Sequence, residues 1–288
     1  MNATAAASGR VLRYVVRRPG LAIGLTIVVV LALGAILAPL LAPFPGDAGS
    51  DTNLLASLRP PGGAHPLGTD LAGRDIWSRV LFGVRVSVGV SVAVIVAALL
   101  VGVPVGLFAG AVGGKVDDLL MRIVDVFLAF PSLLLALAIA ATLGPSMEHA
   151  AIAIVVSWWP WYARLMRGEA AAIRGRAYVE AASLLGIAAW RVTLRHILPN
   201  AIGPVIVQAS LDLGGVILTF AALSFLGLGA QDPTTEWGLM VEQGRTLTST
   251  HPWVALFPGA AIMVAALAFT LLGEGLRERL DPKGSARP

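Results

Sequence analysis

Long apolar runs separated by short charged stretches dominate this sequence. A transmembrane helix needs about 20 mostly apolar residues, because a rise of ~1.5 Å per residue must cover a hydrocarbon core of ~30 Å. Six runs meet or approach that length, at 21–42, 86–112, 123–147, 150–166, 201–230 and 252–273. The pattern predicts an all-α membrane protein with six transmembrane helices.

The first and fourth runs need separate arguments. A basic segment precedes the run 21–42 as in a signal peptide, but the run is longer than the ~7–15 residues of a signal-peptide core. We interpret it as an uncleaved transmembrane helix. The run 150–166 is short, and its "SWWPWY" is typical of the aromatic residues found at a bilayer interface.

The basic residues predict the orientation. With the N-terminus inside and six spans, sixteen of the 21 Lys and Arg residues fall on the cytoplasmic side and only four outside. Such an excess is the usual mark of cytoplasmic segments. The predicted organisation is therefore a cytoplasmic tail at 1–20, a transmembrane helix at 21–42, an extracytoplasmic loop at 43–83, a core of five transmembrane helices at 84–275 containing a cytoplasmic loop at 167–199, and a cytoplasmic tail at 276–288.

Composition excludes several classes of function. The chain is 57% hydrophobic and 13% charged, and it has no cysteine, which excludes disulfides and thiolate chemistry. Its net charge of +4 is explained by the cytoplasmic segments, so no nucleic-acid partner is expected. The four histidines are scattered without a pair at helical spacing, and no Ser-His-Asp arrangement is evident. We expect neither a metal site nor a catalytic site.

An ATP-binding loop is also missing from the sequence. A phosphate-binding P-loop requires Gly-x4-Gly-Lys followed by Ser or Thr. The two lysines, Lys115 and Lys283, precede Val and Gly. We therefore expect no cofactor in this chain, and any ATP and Mg²⁺ must be bound by a separate subunit.

The cytoplasmic loop 167–199 is rich in Arg, Ala and Glu and contains the stretch "EAASLLG". Its residues favour helix, while Gly186 interrupts the pattern and Pro199 marks its end. Short helices are expected at the membrane face. They could be an amphipathic segment resting on lipid, a plain connector, or a binding element for another protein.

The spacing within this loop resembles a known motif. Glu180-Ala181-Ala182 is followed by three residues, then Gly186, then eleven more to Leu198-Pro199. This pattern is similar to the EAA motif in permease subunits of bacterial ATP-binding-cassette importers. His196 stands where the family pattern has Ile, as is frequent in its peptide and nickel branch.

Other stretches resemble the second permease subunit of dipeptide and oligopeptide importers. They include "HPLGTDLAGRDIWSRVLFGVRVS" at 65–87 and "ALSFLGLGAQDPTTEWG", and the resemblance extends over about 60–283. It implies a type I importer permease fold in the bacterial inner membrane. It also implies membrane lipid, a homologous permease subunit, two ATP-binding-cassette ATPases and an extracytoplasmic solute-binding protein as partners.

By the same resemblance, the loop 167–199 contains a coupling helix that docks on an ATPase; we call this segment the EAA loop. The residues that would take part are Glu180, Ala181, Ala182, Ser183, Leu184, Gly186, His196, Leu198 and Pro199. Gly186 could equally serve as the end of a helix, and the two roles are compatible.

Two carboxylates inside the apolar runs are candidates for the transport pathway. Asp125 could line the pathway, but pairing with Arg122 on the same helix face is the favoured interpretation. Asp212 lies within the run 201–230, where a water-lined cavity or a hydrogen bond between helices would explain it.

The extracytoplasmic loop and the cargo are less constrained. Pro, Gly and Asp in "LRPPGGAHPLGTD" indicate turns, and the loop could meet a binding protein or act as a connector. The expected cargo is a di- or oligopeptide, with nickel or a nickel chelate as the alternative within the family. An ion-gradient transporter using Asp125 or Asp212 and a scaffold without transport are the alternatives of other classes.

Overall fold

The computed structural model describes residues 18–280, and these residues are almost entirely helical. The helices are α1 (Pro19–Leu41), α2 (Ile76–Val112), α3 (Gly114–Leu128), α4 (Ser132–Leu143), α5 (Met147–Arg174), α6 (Ala177–Leu184), α7 (Ala189–Val192), α8 (Leu198–Phe225), α9 (Trp237–Gly244) and α10 (Trp253–Leu280). Within 18–280, extended pairing is limited to two isolated bridges, which confirms the all-α prediction. The predicted tails at 1–20 and 276–288 lie mostly outside the described residues.

Helix is the expected outcome for these runs, because only helices satisfy every backbone polar group internally within lipid. By length and composition, α1, α2, α8 with the helical segment before it, and α10 can cross a membrane, which makes four spans. The number rises to five if α3 and α4 form one broken span. The predicted number of six stays a prediction, because charged residues in the second half of α5 interrupt its apolar character.

The predicted span at 123–147 is not a single straight helix. The chain there forms two helices, α3 and α4, whose axes differ by 81°. Pro131 lies directly before α4, where its missing N–H and fixed φ disfavour continuation of the preceding helix. The helix α3 also begins before the apolar run, at Gly114, and it is amphipathic.

The chain divides into two compact units. The first comprises Met1–Val88, Ser210–Leu218 and Asp232–Pro288, and the second comprises Gly89–Ala209 and Thr219–Gln231. In the first unit, α1 and α9 each pack against α10. A Cβ atom added to Gly24 of α1 would lie 2.9 Å from the Ala268 carbonyl oxygen of α10, so the two helices approach closely.

In the second unit, α3 and α4 pack against α5, and a row of glycines brings α2 against α5. A Cβ atom on Gly102 would lie 2.6 Å from the Trp159 carbonyl oxygen, and one on Gly110 equally close to that of Arg167. Gly106, between them, faces Ala163 in the same way. Small residues let the helix backbones approach within a membrane, where dispersion contacts replace the hydrophobic effect. This contact supports the end of α5 from which the EAA loop begins.

Candidate functional site

The first residues of the EAA loop belong to the end of α5, and the short helix α6 follows directly after them. Gly175 ends α5, and α6 begins one residue after Arg176. The side chains of Val179 and Ala182 are buried, so they attach α6 to the rest of the unit. The other face of α6 is exposed, and it carries Glu180, Ala181, Ser183 and Leu184.

Gly186 ends α6 in a Schellman motif. Its φ of +76° lies in the left-handed region that favours glycine. The Gly186 N–H donates to the Ser183 carbonyl at 3.1 Å, and the Ile187 N–H donates to the Ala182 carbonyl at 3.3 Å. These bonds satisfy carbonyl groups at the helix terminus. The predicted role as a helix end is therefore explained by backbone geometry.

The surface of the EAA loop displays large apolar side chains. Leu184 is 89% exposed, Leu185 is 82% exposed and Trp190 is 62% exposed. These three residues follow one another along α6, its terminal turn and α7. Exposed apolar groups beside charged residues such as Glu180 mark a surface suited to contact with another protein.

The last predicted residues of the loop lie where it meets α8. His196 belongs to a π-helical turn, Thr193–Ile197, and its carbonyl accepts a hydrogen bond from Asn200 Nδ2 at 2.7 Å. Leu198 and Pro199 form the first turn of α8, a position that tolerates the missing N–H of proline. All predicted residues of the EAA loop thus lie on one continuous segment that ends at α8.

Asp125 pairs with a different residue from the one expected. Its carboxylate accepts a hydrogen bond from Arg164 Nη2 of α5, rather than from Arg122. Both side chains are about half exposed. The i,i+3 spacing identifies partners only on the same helix as Asp125. The packing of α3 on α5 brings Arg164 close to it instead. Asp212, the other candidate, is half-buried within α8.

A second ion pair joins α3 to α5 and was not anticipated from the sequence. Arg167 Nε lies 2.9 Å from Asp117 Oδ1 and 3.1 Å from Oδ2, and Arg167 Nη2 lies 2.5 Å from Oδ2. Asp117 is buried, while the Arg167 side chain is partly exposed. Such forked contacts between guanidinium and carboxylate are strong and directional.

Two buried residues of the predicted extracytoplasmic loop belong to a polar network that the sequence did not reveal. We call Asp70, Arg74, Asp232 and Gln243 the Arg74 cluster. Arg74 Nε donates to Asp70 Oδ2 at 2.8 Å, and Arg74 Nη1 donates to Asp232 Oδ1 at 2.9 Å. Asp232 also accepts from Gln243 Nε2 at 3.0 Å. The cluster thus joins Arg74 to Asp232, which lies 158 positions away in the sequence.

The electrostatics of the Arg74 cluster follow from these contacts. Burial lowers the pKa of the Arg74 guanidinium, but the charges of Asp70 and Asp232 outweigh that effect and raise the pKa above its ordinary value. Burial also raises the pKa of Asp232, yet the hydrogen bond and charge of Arg74 hold that pKa below its ordinary value. Arg74 and Asp232 therefore stay ionised at neutral pH.

A second polar contact lies beside this loop. Glu236, fully buried, accepts hydrogen bonds from Ser87 Oγ at 3.1 Å and from the Leu239 N–H at 2.8 Å. Its carboxylate thereby caps the first turn of α9. Trp237 beside it is buried, and its indole N–H donates to the Val80 carbonyl at 3.0 Å. These contacts attach the start of α9 to α2.

An open cavity of about 510 Å³ adjoins the Arg74 cluster. Its wall includes Leu54, Leu71, Arg74, Asp232 and Arg245. Among the described residues, no group of three or more His, Asp or Glu side chains is placed to hold a metal ion.

Comparison with known proteins decides the family. Residues 102–285 match the family described as "Binding-protein-dependent transport system inner membrane component". The chain belongs to this permease family. Residues 8–61 also match "N-terminal TM domain of oligopeptide transport permease C". This permease is thus a multi-pass protein of the inner membrane, as the sequence predicted.

Curated relatives of the permease cover most of its length. The dipeptide transport system permease protein DppC of Escherichia coli K12 is 45% identical over 94% of this chain and 91% of its own. The probable D,D-dipeptide permease DdpC of the same strain is 42% identical over 91% of this chain and 87% of its own. The glutathione permease GsiD of Pectobacterium atrosepticum is 40% identical over 94% and 89%.

A solved structure supports the fold of the permease. An inward-facing form of the MetNI methionine ABC transporter superposes with a TM-score of 0.59, covering 71% of this chain and 97% of the matched chain. The two sequences are 16% identical, so the likeness concerns the fold alone.

Proposed function

We propose that this permease is the membrane-spanning subunit of an ATP-driven importer of di- or oligopeptides. The observation that carries the proposal is the EAA loop, whose short helix presents Glu180 beside the exposed Ala181 and the uncovered side chains of Leu184 and Leu185. A helix with small residues at its centre can enter a groove on a partner, while the exposed leucines supply apolar contact area.

The proposed assembly contains this chain, a homologous permease subunit, two ATPase subunits and a solute-binding protein. ATP and Mg²⁺ belong to the ATPases, since neither lysine of this chain lies in a P-loop. We further propose six transmembrane helices with both termini cytoplasmic. In that arrangement α5 is one of the six transmembrane helices. Its C-terminal half carries charged residues because that half extends to the EAA loop.

The names of the relatives support the peptide cargo. Two of them are described as dipeptide or D,D-dipeptide permeases, and another as a glutathione permease. The nickel alternative is accordingly not favoured. An ion-gradient transporter is not favoured either, because the matched family is described as dependent on a binding protein.

The proposal is tested with the whole importer reconstituted in proteoliposomes. Glu180→Arg should greatly reduce capture of the ATPases and peptide uptake, because it reverses the charge at the centre of the docking helix. Glu148→Arg is the matched control, since Glu148 is also an exposed acid in the first turn of a helix, at the other end of α5. Uptake that continues with ATPase subunits unable to hydrolyse ATP contradicts the proposal.

A further inference from the structure

Three arginines in the second half of α5 contact α3 or the end of α2. Arg164 pairs with Asp125, Arg167 pairs with Asp117, and Arg174 Nη1 donates to the Ala111 carbonyl at 3.4 Å. This half of α5 leads directly into α6, with only Gly175 and Arg176 between them. The helix that carries the EAA loop is therefore attached to α3 close to that loop.

The two ion pairs between α3 and α5 differ in quality. Asp117 and Arg167 make three short contacts, and the Asp117 side chain is only 9% exposed. Asp125 and Arg164 are 59% and 48% exposed. Exposed ion pairs contribute little, whereas a forked contact to a buried carboxylate holds both groups in one geometry. The first pair is thus the one able to transmit a displacement.

The backbone of α5 at the same level is also held. A Cβ atom on Gly110 would lie 2.6 Å from the Arg167 carbonyl oxygen, so α2 and α5 are in close backbone contact there. More than two turns farther along α3 and α5, the rings of Phe127 and Trp159 meet edge to face, with centroids 5.4 Å apart. The adjoining parts of α2, α3 and α5 accordingly form one packed body.

The far end of α3 is where this body meets the junction with α4. Ala129, Phe130 and Pro131 separate α3 from α4, and the chain turns by 81° there. The α3 and α4 helices are the one bent pair of apolar helices found among residues 18–280. A shift of α5 carried to α3 through Asp117 would change the angle at this bend.

We propose that Asp117 and Arg167 are positioning residues that transmit movement of the EAA loop to the bent helix pair α3 and α4. The inference rests on the proposed function, because the movement originates in ATPases docked at the loop. Asp117 and Arg167 would act after the ATPases have docked on the EAA loop. Loss of the pair should leave ATPase binding and ATP hydrolysis intact while separating them from peptide uptake.

The test uses the whole importer in proteoliposomes, with Asp117→Asn, Arg167→Gln and both changes together. Peptide uptake per ATP hydrolysed should fall about tenfold in each single variant, since the coupling of such contacting pairs corresponds to roughly that factor. The double variant should be no worse than either single variant, because the two residues act as a unit. Arg164→Gln, which removes the exposed pair, should keep uptake per ATP near that of the wild type.

The outcomes separate this inference from the proposed function. Unchanged uptake per ATP in the single variants, or independent multiplying losses in the double variant, overturns the role in transmission. Loss of ATPase capture in the variants also overturns it, because the pair would then only shape the docking surface. If the wild-type chain itself fails to capture ATPases, the proposed function is wrong. A thermal-unfolding measurement on each variant confirms that the compared complexes are folded.

Discussion

The EAA loop and the Arg74 cluster differ in how far their side chains are exposed to solvent. The loop leaves Leu184, Leu185 and Trp190 uncovered, although each would be more stable when buried. The Arg74 cluster buries the charged groups of Asp70 and Arg74, which water would otherwise solvate, and supplies each with a partner from the same chain. The difference indicates that the cluster serves the fold of this subunit, and the exposed loop surface supports our proposal that another protein docks there.

The largest expected effect comes from breaking the Arg74 cluster. Arg74→Ala removes the side chain that donates to both Asp70 and Asp232, and leaves the buried Asp70 carboxylate only the more distant Arg79, whose Nε lies 3.7 Å away. Removing one member of a buried ion pair costs about 3–5 kcal/mol. Thermal or denaturant unfolding of the purified subunit should show this loss. The control Arg245→Ala affects an exposed ion pair with Glu242 and should change the unfolding free energy by less than ~1 kcal/mol.

The second effect should appear in binding and leave folding unaffected. Leu184→Ala combined with Leu185→Ala removes apolar area that the folded chain does not bury. We expect the affinity for the ATPase subunits to fall by about 2 kcal/mol, or roughly thirtyfold, as at interface positions that dominate binding. The unfolding free energy should change by less than ~0.5 kcal/mol.

Titration of labelled ATPase subunits onto the purified permease measures that affinity. Leu100→Ala provides the control, because Leu100 is an exposed leucine within the apolar helix α2 rather than in the loop. If Leu100→Ala lowers the affinity for the ATPases as much as the double variant does, the exposed leucines of the loop have no special role in binding.

A smaller effect should follow from a change at the end of α6. Gly186→Val places a β-branched residue at a φ of +76°, which costs about 1–2 kcal/mol in the left-handed region. A Cβ atom there would meet open space, so the cost is conformational rather than steric. Peptide uptake should fall severalfold while the protein still inserts.

Gly175→Ala is the control for the variant at Gly186. Gly175 has a φ of −76° and open space around it, so alanine should be accepted there. If valine at 186 leaves uptake unchanged, the conformation at the end of α6 is not needed for docking.

The smallest effect concerns pH and the Arg74 cluster. Because the pKa of Asp232 is held below its ordinary value, its contribution to stability is present above pH ~3.9 and is lost as the pH falls through its lower pKa in the folded protein. Asp232→Asn should therefore cost about 1 kcal/mol or less at pH 7, and the difference from the wild type should vanish in strong acid. Unfolding midpoints measured from pH 7 to pH 3 test this, and a difference that stays constant over that range contradicts it.

Local patterns predicted the local features well. The apolar run 21–42 became α1 at Pro19–Leu41, and the glycine after "EAASLL" ends a helix in the structure. Both depend on neighbouring residues, because helix length follows apolar length and a positive φ follows the helix terminus. The same reasoning did not indicate the bend before Pro131, because the run 123–147 is continuously hydrophobic.

Contacts distant in sequence were the part that local patterns missed. Arg122 was chosen as the partner of Asp125 because it lies three residues away, yet helix packing brings Arg164 into contact instead. Likewise, "LGTDLAGRD" contains the charges of Asp70 and Arg74, but nothing nearby indicates that Asp232 will join them from 158 residues away. Charge identity can be read from a sequence, whereas charge pairing requires the arrangement of the helices.

The sequence by itself determined that this chain is a helical membrane protein of the binding-protein-dependent permease family with an EAA loop. These properties reside in apolar run length, residue spacing and the position of glycines, all of which act over a few residues. Only the tertiary structure decided that α3 and α4 are bent, that Asp117 holds Arg167, and that Arg74 is buried between carboxylates. Those features depend on which helices touch, because a buried charge is stable only where a distant segment supplies its partner.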